Sequence, residues 1–484
     1  MPHRVLAPAG AVALAGPTAL AFFAGGYFDE PRLVAGLIAC VLAVVVGIAA
    51  PAPFPQRWAG RVAIAGLTGL AAWVALSITW APLRGPALDD AQRVALYALA
   101  LVVAAAVLRG PLLRRVEPAL VAGSFVVVAY GLLGRLLPGF VEQTNSRSAG
   151  GRLEQPLTYW NAMGALAAIG LLLAARVAGD PERSDRERVL AAASTPVLGL
   201  GVYLSFSRGA LAATVAGVLV LLALAPTWPQ LRALVLAAEA SAAAALLAGR
   251  FDGVQKLAGS LGTREGEGAV VLLGLIAVSI GIAALAAHEC RSERAGRHDS
   301  GPLPIPPRVA PAIAAAGFAV IAIGTFALAG GRDQGGRERP AGFGARSDRL
   351  VSLQSNRYDY WRVARRAFAR QPLRGGGSGS FQVDWIRERR YRDPARDAHS
   401  LELETAAELG IVGLALLAAL IGGIALSLRR AARSNPGLVA GWAAALTAFA
   451  LHSAIDWDWE LPALTLVAVL LAGAAIAAAD EAPA

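Results

Sequence analysis

Residues 8–50 read PAGAVALAGPTALAFFAGGYFDEPRLVAGLIACVLAVVVGIAA. Two apolar runs, 8–27 and 33–50, flank a short hinge, FDEPR, that holds every charge in the segment. At about 1.5 Å per helical residue, each run is long enough to cross the roughly 30 Å of a bilayer's hydrocarbon core. The second run follows the first directly, with no small-residue cleavage site and no soluble domain between them. We therefore read the first as a retained span and not a cleavable signal.

The pattern recurs to the end of the chain. Apolar stretches predict spans at 62–80, 91–108, 118–137, 160–178, 188–205, 209–226, 230–249, 268–287, 308–330, 408–428, 437–455 and 462–480. With the first two this makes about fourteen. The expected fold is all-α, a polytopic membrane bundle in three parts: 1–330 with about eleven spans, a loop at 331–407, and 408–484 with about three. Composition agrees, since 56% of residues are hydrophobic and 16% charged, against roughly a quarter charged in soluble domains. Mean hydropathy is +0.54.

The formal charge of +10 would suggest nucleic acid in a soluble protein. Here basic loops lying against anionic lipid explain it, and no nucleic acid partner is expected. Arg almost wholly replaces Lys, with Lys256 the one lysine. Cys40 lies in an apolar span and Cys290 in a charged loop, so neither a disulfide nor a thiolate metal site is indicated. No haem, nucleotide or zinc motif is present, and no cofactor or metal is expected.

Charge asymmetry sets the orientation. With both termini cytoplasmic, the inner loops collect Arg109, Arg114 and Arg115, then Arg176, Arg183, Arg186 and Arg188, then Arg291, Arg294 and Arg297, then Arg429, Arg430 and Arg433. The outer side receives Asp29, Glu30, Asp89, Asp90, Asp456, Asp458 and Glu460, together with the long 331–407 loop. Within that loop, Gly330 to Ser347 is rich in Gly and Arg and reads as mobile. Tyr360, Val363, Ala364, Ala367 and Phe368 are spaced as an amphipathic helix within Asn356 to Phe368. Gly375, Gly376, Gly377 and Gly379 then break the chain before a second short segment, Phe381 to Tyr391. The loop is expected to form a structured lid on the outer face.

A polar group at membrane depth is costly unless satisfied or facing water, so such residues direct attention to function. Four groups stand on the outer side. Ser205-Phe206-Ser207-Arg208-Gly209-Ala210 is a short break between two spans. Arg208 there is either a snorkelling helix end or an anion site built from a guanidinium and free helical N–H groups. The second group holds Arg147, Arg152, Glu154 and Gln155, followed by Tyr159, Trp160 and Asn161 at the mouth of a span. An interfacial aromatic belt accounts for the two aromatics without function. The third is the lid helix with Arg357, Tyr358, Trp361 and Arg362, where a solvated basic face is the alternative. The fourth is DAHSLELETAAELG at 397–410, which leads into a span. It puts His399 near the outer surface with Glu402 about one turn on, an acidic neighbourhood that could hold the imidazole's tautomer. His452 lies close to Asp456, whereas His3, His288 and His298 fall on the inner side.

These segments resemble the O-antigen ligase and O-antigen polymerase family of bacterial envelope glycosyltransferases. The resemblance rests on SFSRGAL at 205–211, NRYDYWRVARRAFARQPLRGGGSGSFQ at 356–382 and DAHSLELETAAELGIVGLALL at 397–417, in that order. RLEQPLTYWNAMG at 152–164 is similar to a further family segment. The resemblance implies a helical bundle with a large extracytoplasmic loop in the bacterial cytoplasmic membrane. It also implies a glycan donor carried on a polyprenyl diphosphate and a glycan or lipid acceptor, alongside membrane lipids and other envelope polysaccharide assembly proteins. It further implies that Arg208, with Arg152 and Arg357, contacts the diphosphate, and that His399 takes the proton from the acceptor hydroxyl. Arg147, Tyr159 and Glu402 are the remaining substrate-binding candidates. The family commonly has Asn after this histidine where the chain has Ser400, and about fourteen spans exceeds the dozen or so associated with ligases.

A diphosphate is already a good leaving group, so Arg and His suffice for a metal-independent, inverting transfer, and the sequence offers no carboxylate cluster for a divalent cation. Two other classes fit the span count. A transporter or lipid-linked glycan flippase would show paired repeats and a midplane site. A peptidoglycan polymerase of the shape-and-elongation type would rely on an outer-loop Asp, for which Asp384 and Asp397 are the candidates.

Overall fold

The computed structural model describes residues 2–304, 345, 356–390 and 392–483. The span expected at 308–330 and, Ala345 apart, the Gly- and Arg-rich stretch to Ser347 lie outside the described residues. In chain order the helices are α1 (Pro2–Ala21), α2 (Asp29–Ala49), α3 (Trp58–Ser77), α4 (Arg84–Val107), α5 (Leu113–Leu136), α6 (Trp160–Ala178), α7 (Asp185–Ser205) and α8 (Arg208–Leu224). They continue with α9 (Trp228–Ala248), α10 (Asp252–Gln255), α11 (Leu261–Arg294), α12 (Arg357–Arg370), α13 (Phe381–Glu388), α14 (Leu401–Ser434), α15 (Pro436–Ser453) and α16 (Pro462–Glu481). No strand occurs among the described residues.

Ten of these helices are long and apolar enough to cross a membrane: α2 to α7, α9, α11, α14 and α16. Of the other expected spans, α1 and α8 are shorter apolar helices, α15 packs on α8 and α6, and the last is the 308–330 stretch. Helix α16 runs through the centre, buried along its length. By contrast, α2 turns Leu33, Leu37, Val41, Val44 and Ile48 outward. In water such a row would be an aggregation surface, whereas lipid solvates it at no cost.

Caps fix where the helices begin. Ser184 and Glu187 form a capping box on α7, and the side chains of Ser207, Thr227, Ser260, Ser400 and Asn435 accept from the first turns of α8, α9, α11, α14 and α15. Each such cap is worth about 1 kcal/mol.

The connections gather at two ends. At the basic end Arg109 bonds Asp480 at 3.1 Å, Arg188 bonds Glu293 at 2.8 Å, Arg183 bonds Glu117 at 2.7 Å and Arg176 reaches the Gly437 carbonyl at 2.7 Å. At the acidic end Arg32 bonds Asp89 at 2.9 Å, Arg93 pairs with Glu460, and Arg357 pairs with Asp456. The two sets of loops separated by charge in the sequence thus occupy opposite ends of the bundle.

The acidic end carries a layer made by α12 and α13, with a small core of Tyr360, Val363, Ala364, Phe381, Trp385 and Ala398. The helix expected from Asn356 to Phe368 is α12, and the segment after the glycines is α13. Several boundaries depart from expectation: α1 runs Pro2–Ala21 and not 8–27, α4 begins at Arg84 and not 91, α11 runs Leu261–Arg294 and not 268–287, and the helix placed from 408, α14, begins at Leu401, capped by Ser400. It is broken at Gly410 (φ +65°, ψ −161°), a conformation closed to other residues. A Cβ there would stand 2.3 Å from the Leu373 carbonyl oxygen. The glycine-rich turn grips this break, with Gly376 and Gly377 N–H donating to the carbonyls of Ala407 and Glu408 at 3.0 and 2.8 Å. That grip fixes Leu401–Leu409, and the histidine just before it, against the lid layer.

Candidate active site

His399 sits at the junction between the lid layer and α14. Its φ of +54° is left-handed, a strained setting for a non-glycine residue and more often met at functional positions than elsewhere. Neighbours hold it there: Trp361 Nε1 donates to the His399 carbonyl at 3.3 Å, and the Ala398 N–H donates to Glu404 at 2.7 Å. The ring lies between Tyr360 and Trp457, with centroids 5.1 and 6.2 Å away. Nδ1 is 3.0 Å from the Asp397 carbonyl oxygen. A carbonyl only accepts, so Nδ1 carries the proton and Nε2 is left as the basic nitrogen. Burial holds the imidazole below its ordinary value; the Asp456 charge opposes this and the Arg357 charge adds to it. The ring is therefore neutral, and basic, at pH 7.

The acid that faces this histidine comes from the 454–461 loop. Asp456 is 1% exposed and accepts from Tyr159 Oη at 2.5 Å and from Arg357. Burial alone would raise its carboxyl, but Arg357, His452 and His399 together bring it below the usual range. Tyr159, raised well above its ordinary value by burial and by Asp456, stays a phenol. It takes a second hydrogen bond from Asn161 Nδ2 at 2.8 Å and stacks on Trp457 at 4.5 Å. Three segments distant in sequence, the start of α6, the start of α12 and the α15–α16 loop, thus meet around one carboxylate beside the imidazole.

The SFSRGAL turn abuts the same loop. Phe206 closes α7 in the left-handed region (φ +49°), and Ser207 caps α8, whose first residue is Arg208. Ser207 Oγ lies 3.4 Å from His452 Nε2, and His452 Nδ1 lies 2.5 Å from Asp458 Oδ2. Ser207, through His452 and Asp458, ties the start of α8 to the loop carrying Asp456, so Arg208 stands at the acidic end with His399 and Arg357.

The family model described as O-antigen ligase matches residues 193–418. Over that stretch, a little under half of its length, the chain is similar to the O-antigen ligase family. No curated protein sequence matches it. The matched stretch takes in Arg208, Arg357 and His399, and ends before His452, Asp456 and Asp458. This likeness, with ten of the described helices long and apolar enough to cross a membrane, supports a multi-pass membrane protein of the cell envelope.

The other sequence candidates divide. Tyr159 joins the site directly. Arg152 is buried with its guanidinium 3.5 Å over Trp160, and donates to the carbonyls of Ala149 and Ser148 at 2.5 and 2.7 Å, so it backs the Tyr159–Trp160 pair and shapes the preceding loop. Arg147 is exposed on that loop. Glu402 turns back to Ser400, and the carboxylate acting on the imidazole is Asp456 instead. In the sequence Asp456 carried only a sidedness signal, although HSAIDWDWE at 452–460 packs one imidazole, three acids and two indoles into a turn too short for a solvated loop.

A carboxylate cluster that the sequence did not suggest also forms. Carboxyl oxygens of Asp397, Glu404 and Glu460 lie within 4.8 Å of one another, drawn from segments that meet only in the fold. Arg93 supplies the positive charge, pairing with Glu460 and with Asp90 at 2.7 Å. Burial outweighs the pull of Arg93 and, with added repulsion from Asp397 and Asp90, pushes Glu460 up to about 8. Burial likewise pushes Asp397 up to about 6. At neutral pH the cluster thus holds a proton, which relieves much of its repulsion.

Proposed function

We propose that the protein transfers a glycan from a polyprenyl-diphosphate donor to an acceptor hydroxyl at the outer face of the bacterial cytoplasmic membrane, with inversion and without a metal. The observation that carries this reading is the convergence of a neutral, Nδ1-protonated His399 with the Arg357–Asp456–Tyr159 group at the end of the bundle that also presents Arg208. The acceptor oxygen attacks the anomeric carbon as the bond from that carbon to the phosphate oxygen breaks. The electron pair leaves with the diphosphate, and the acceptor proton passes to His399 Nε2. Arg208 and Arg357 offset the charge growing on the departing diphosphate. Arg152 supports the donor site indirectly, by backing the Tyr159–Trp160 pair.

In this reading the basic end is cytoplasmic, as the distribution of Arg among short loops favours. The chain then crosses about fourteen times, counting α1, α8, α15 and the 308–330 stretch, and 331–407 lies outside. Gathering of the informative residues at one end favours a transferase over a transporter, whose site would sit at the midplane. The test is consumption of lipid-linked glycan by membrane vesicles of the native host. Arg208→Ala is expected to lower the rate by about 10²-fold or more, and a chelator is expected to leave the wild-type rate unchanged. A fully active Arg208→Ala protein would overturn the donor assignment, and a chelator-sensitive rate would overturn metal independence.

A further inference from the structure

His452 and Asp458 lie beyond the stretch matched by the family model, and the transfer chemistry above uses neither. Both are almost wholly buried, at 1% and 0% exposure. A buried ionisable pair is expensive to keep and contributes little net stability against an apolar replacement. One oxygen of Asp458 meets His452 Nδ1 at 2.5 Å. The other, Oδ1, has no hydrogen-bond partner among the described residues. Stability alone does not account for such a pair.

What the pair touches is specific. His452 Nε2 faces Ser207 Oγ at 3.4 Å, and Ser207 Oγ in turn accepts from the Ala210 N–H at 3.2 Å as the cap of α8. The imidazole also lies flat against the first turn of that helix. A Cβ built on Gly209 would stand 2.9 Å from Cδ2 and 3.0 Å from Nε2 of the ring. Residues on both sides of Arg208 are thus seated on one imidazole, Ser207 by a hydrogen bond and Gly209 by the absence of a side chain. The 454–461 loop that holds this imidazole through Asp458 also holds Arg357 through Asp456, two residues earlier.

We infer that His452, braced by Asp458, is a positioning residue that locks the first turn of α8 to the loop carrying Asp456, so that Arg208 and Arg357 are held in one register for a single diphosphate. The Asp458 carboxylate only accepts, so His452 Nδ1 carries a proton, and Ser207 Oγ can donate to Nε2 of the neutral ring or accept from it in the imidazolium. The inference rests on the proposed role of Arg208 as a diphosphate ligand and adds what sets its geometry.

The experiment measures binding of farnesyl diphosphate, a short polyprenyl diphosphate without sugar, to the full chain in lipid nanodiscs. His452→Leu and Asp458→Leu are expected to weaken binding about tenfold, the loss of one well-placed charged hydrogen-bonding group. Asp458→Asn, whose amide still bridges to the ring in either orientation, should recover most of what Asp458→Leu loses. In an Arg208→Ala background, His452→Leu should cost less than twofold, because the residue acts through Arg208. Gly209→Ala, which pushes on the ring with every hydrogen-bonding group retained, supplies the same comparison should His452→Leu fail to fold. Equal losses with and without Arg208 would show a merely structural role and overturn the inference. If Arg208→Ala alone leaves binding untouched, the donor assignment falls and takes this inference with it.

Discussion

Replacing His399 by glycine separates chemistry from folding. A φ of +54° costs an L-residue about 1 kcal/mol relative to glycine, which the substitution returns. The ring removed is half-buried and meets Tyr360 and Trp457 at 5.1 and 6.2 Å, contacts worth about 1 kcal/mol. The two nearly cancel, so the melting temperature of the purified protein should move by no more than a few degrees, within about 1 kcal/mol. Catalysis has no such offset. Loss of a positioned general base lowers the rate by about 10²–10⁴-fold, or about 3–5 kcal/mol of barrier. The assay follows consumption of lipid-linked glycan in native-host membrane vesicles, with and without free imidazole. The gap between Tyr360 and Trp457 should admit the added base and restore part of the rate. That rescue should require a higher pH than the wild type needs, because free imidazole lacks the burial that depresses His399. A glycine variant that melts normally and keeps more than a tenth of the wild-type rate would refute the base assignment.

Two further predictions follow from the same group of residues. The rate should fall on the acid side as His399 gains its proton, at a pH below imidazole's ordinary 6.5, since burial disfavours the charged ring. Arg357→Gln removes a charge that repels the imidazolium and should move this limb to higher pH; Asp456→Asn removes one that attracts it and should move the limb lower. Either shift in the opposite sense in normalised pH–rate profiles would show that another group titrates. On stability, Arg357→Met should cost about 3 kcal/mol by leaving the buried Asp456 carboxylate without its cation, and the Arg357→Met/Asp456→Leu double variant should cost less than the sum of the two single losses. Additive losses in thermal melts would mean the pair is not coupled.

Much of the bundle was legible because lipid imposes a single rule: satisfy the backbone within the helix and keep the surface apolar. Sequence alone therefore placed α2, α6 and α16 within a few residues. It placed the start of α14 late because Leu401–Leu409 carries Glu402, Glu404 and Glu408, and hydropathy reads such a stretch as loop. Its helicity comes instead from the Ser400 cap and from Glu408, which accepts from the N–H groups of Gly379 and Phe381 at 2.8 and 3.0 Å. Both are tertiary facts about where the glycine-rich turn returns.

The site divides along the same line. His399, Arg208 and Arg357 stood out as candidates in local sequence because each lies in a motif whose residue types are costly where they stand. Asp456 did not, because a carboxylate in a short outer loop is what charge asymmetry expects, and its exposure cannot be read from its neighbours. Only the fold reveals that the loop is buried and that its acids face inward, Asp456 toward Arg357 and Asp458 toward His452. The sidedness signal and the site are then one feature. The acids that mark this end of the bundle are the groups that hold its cations in place, so a substitution that removes Asp456 should disturb the site long before it disturbs the topology.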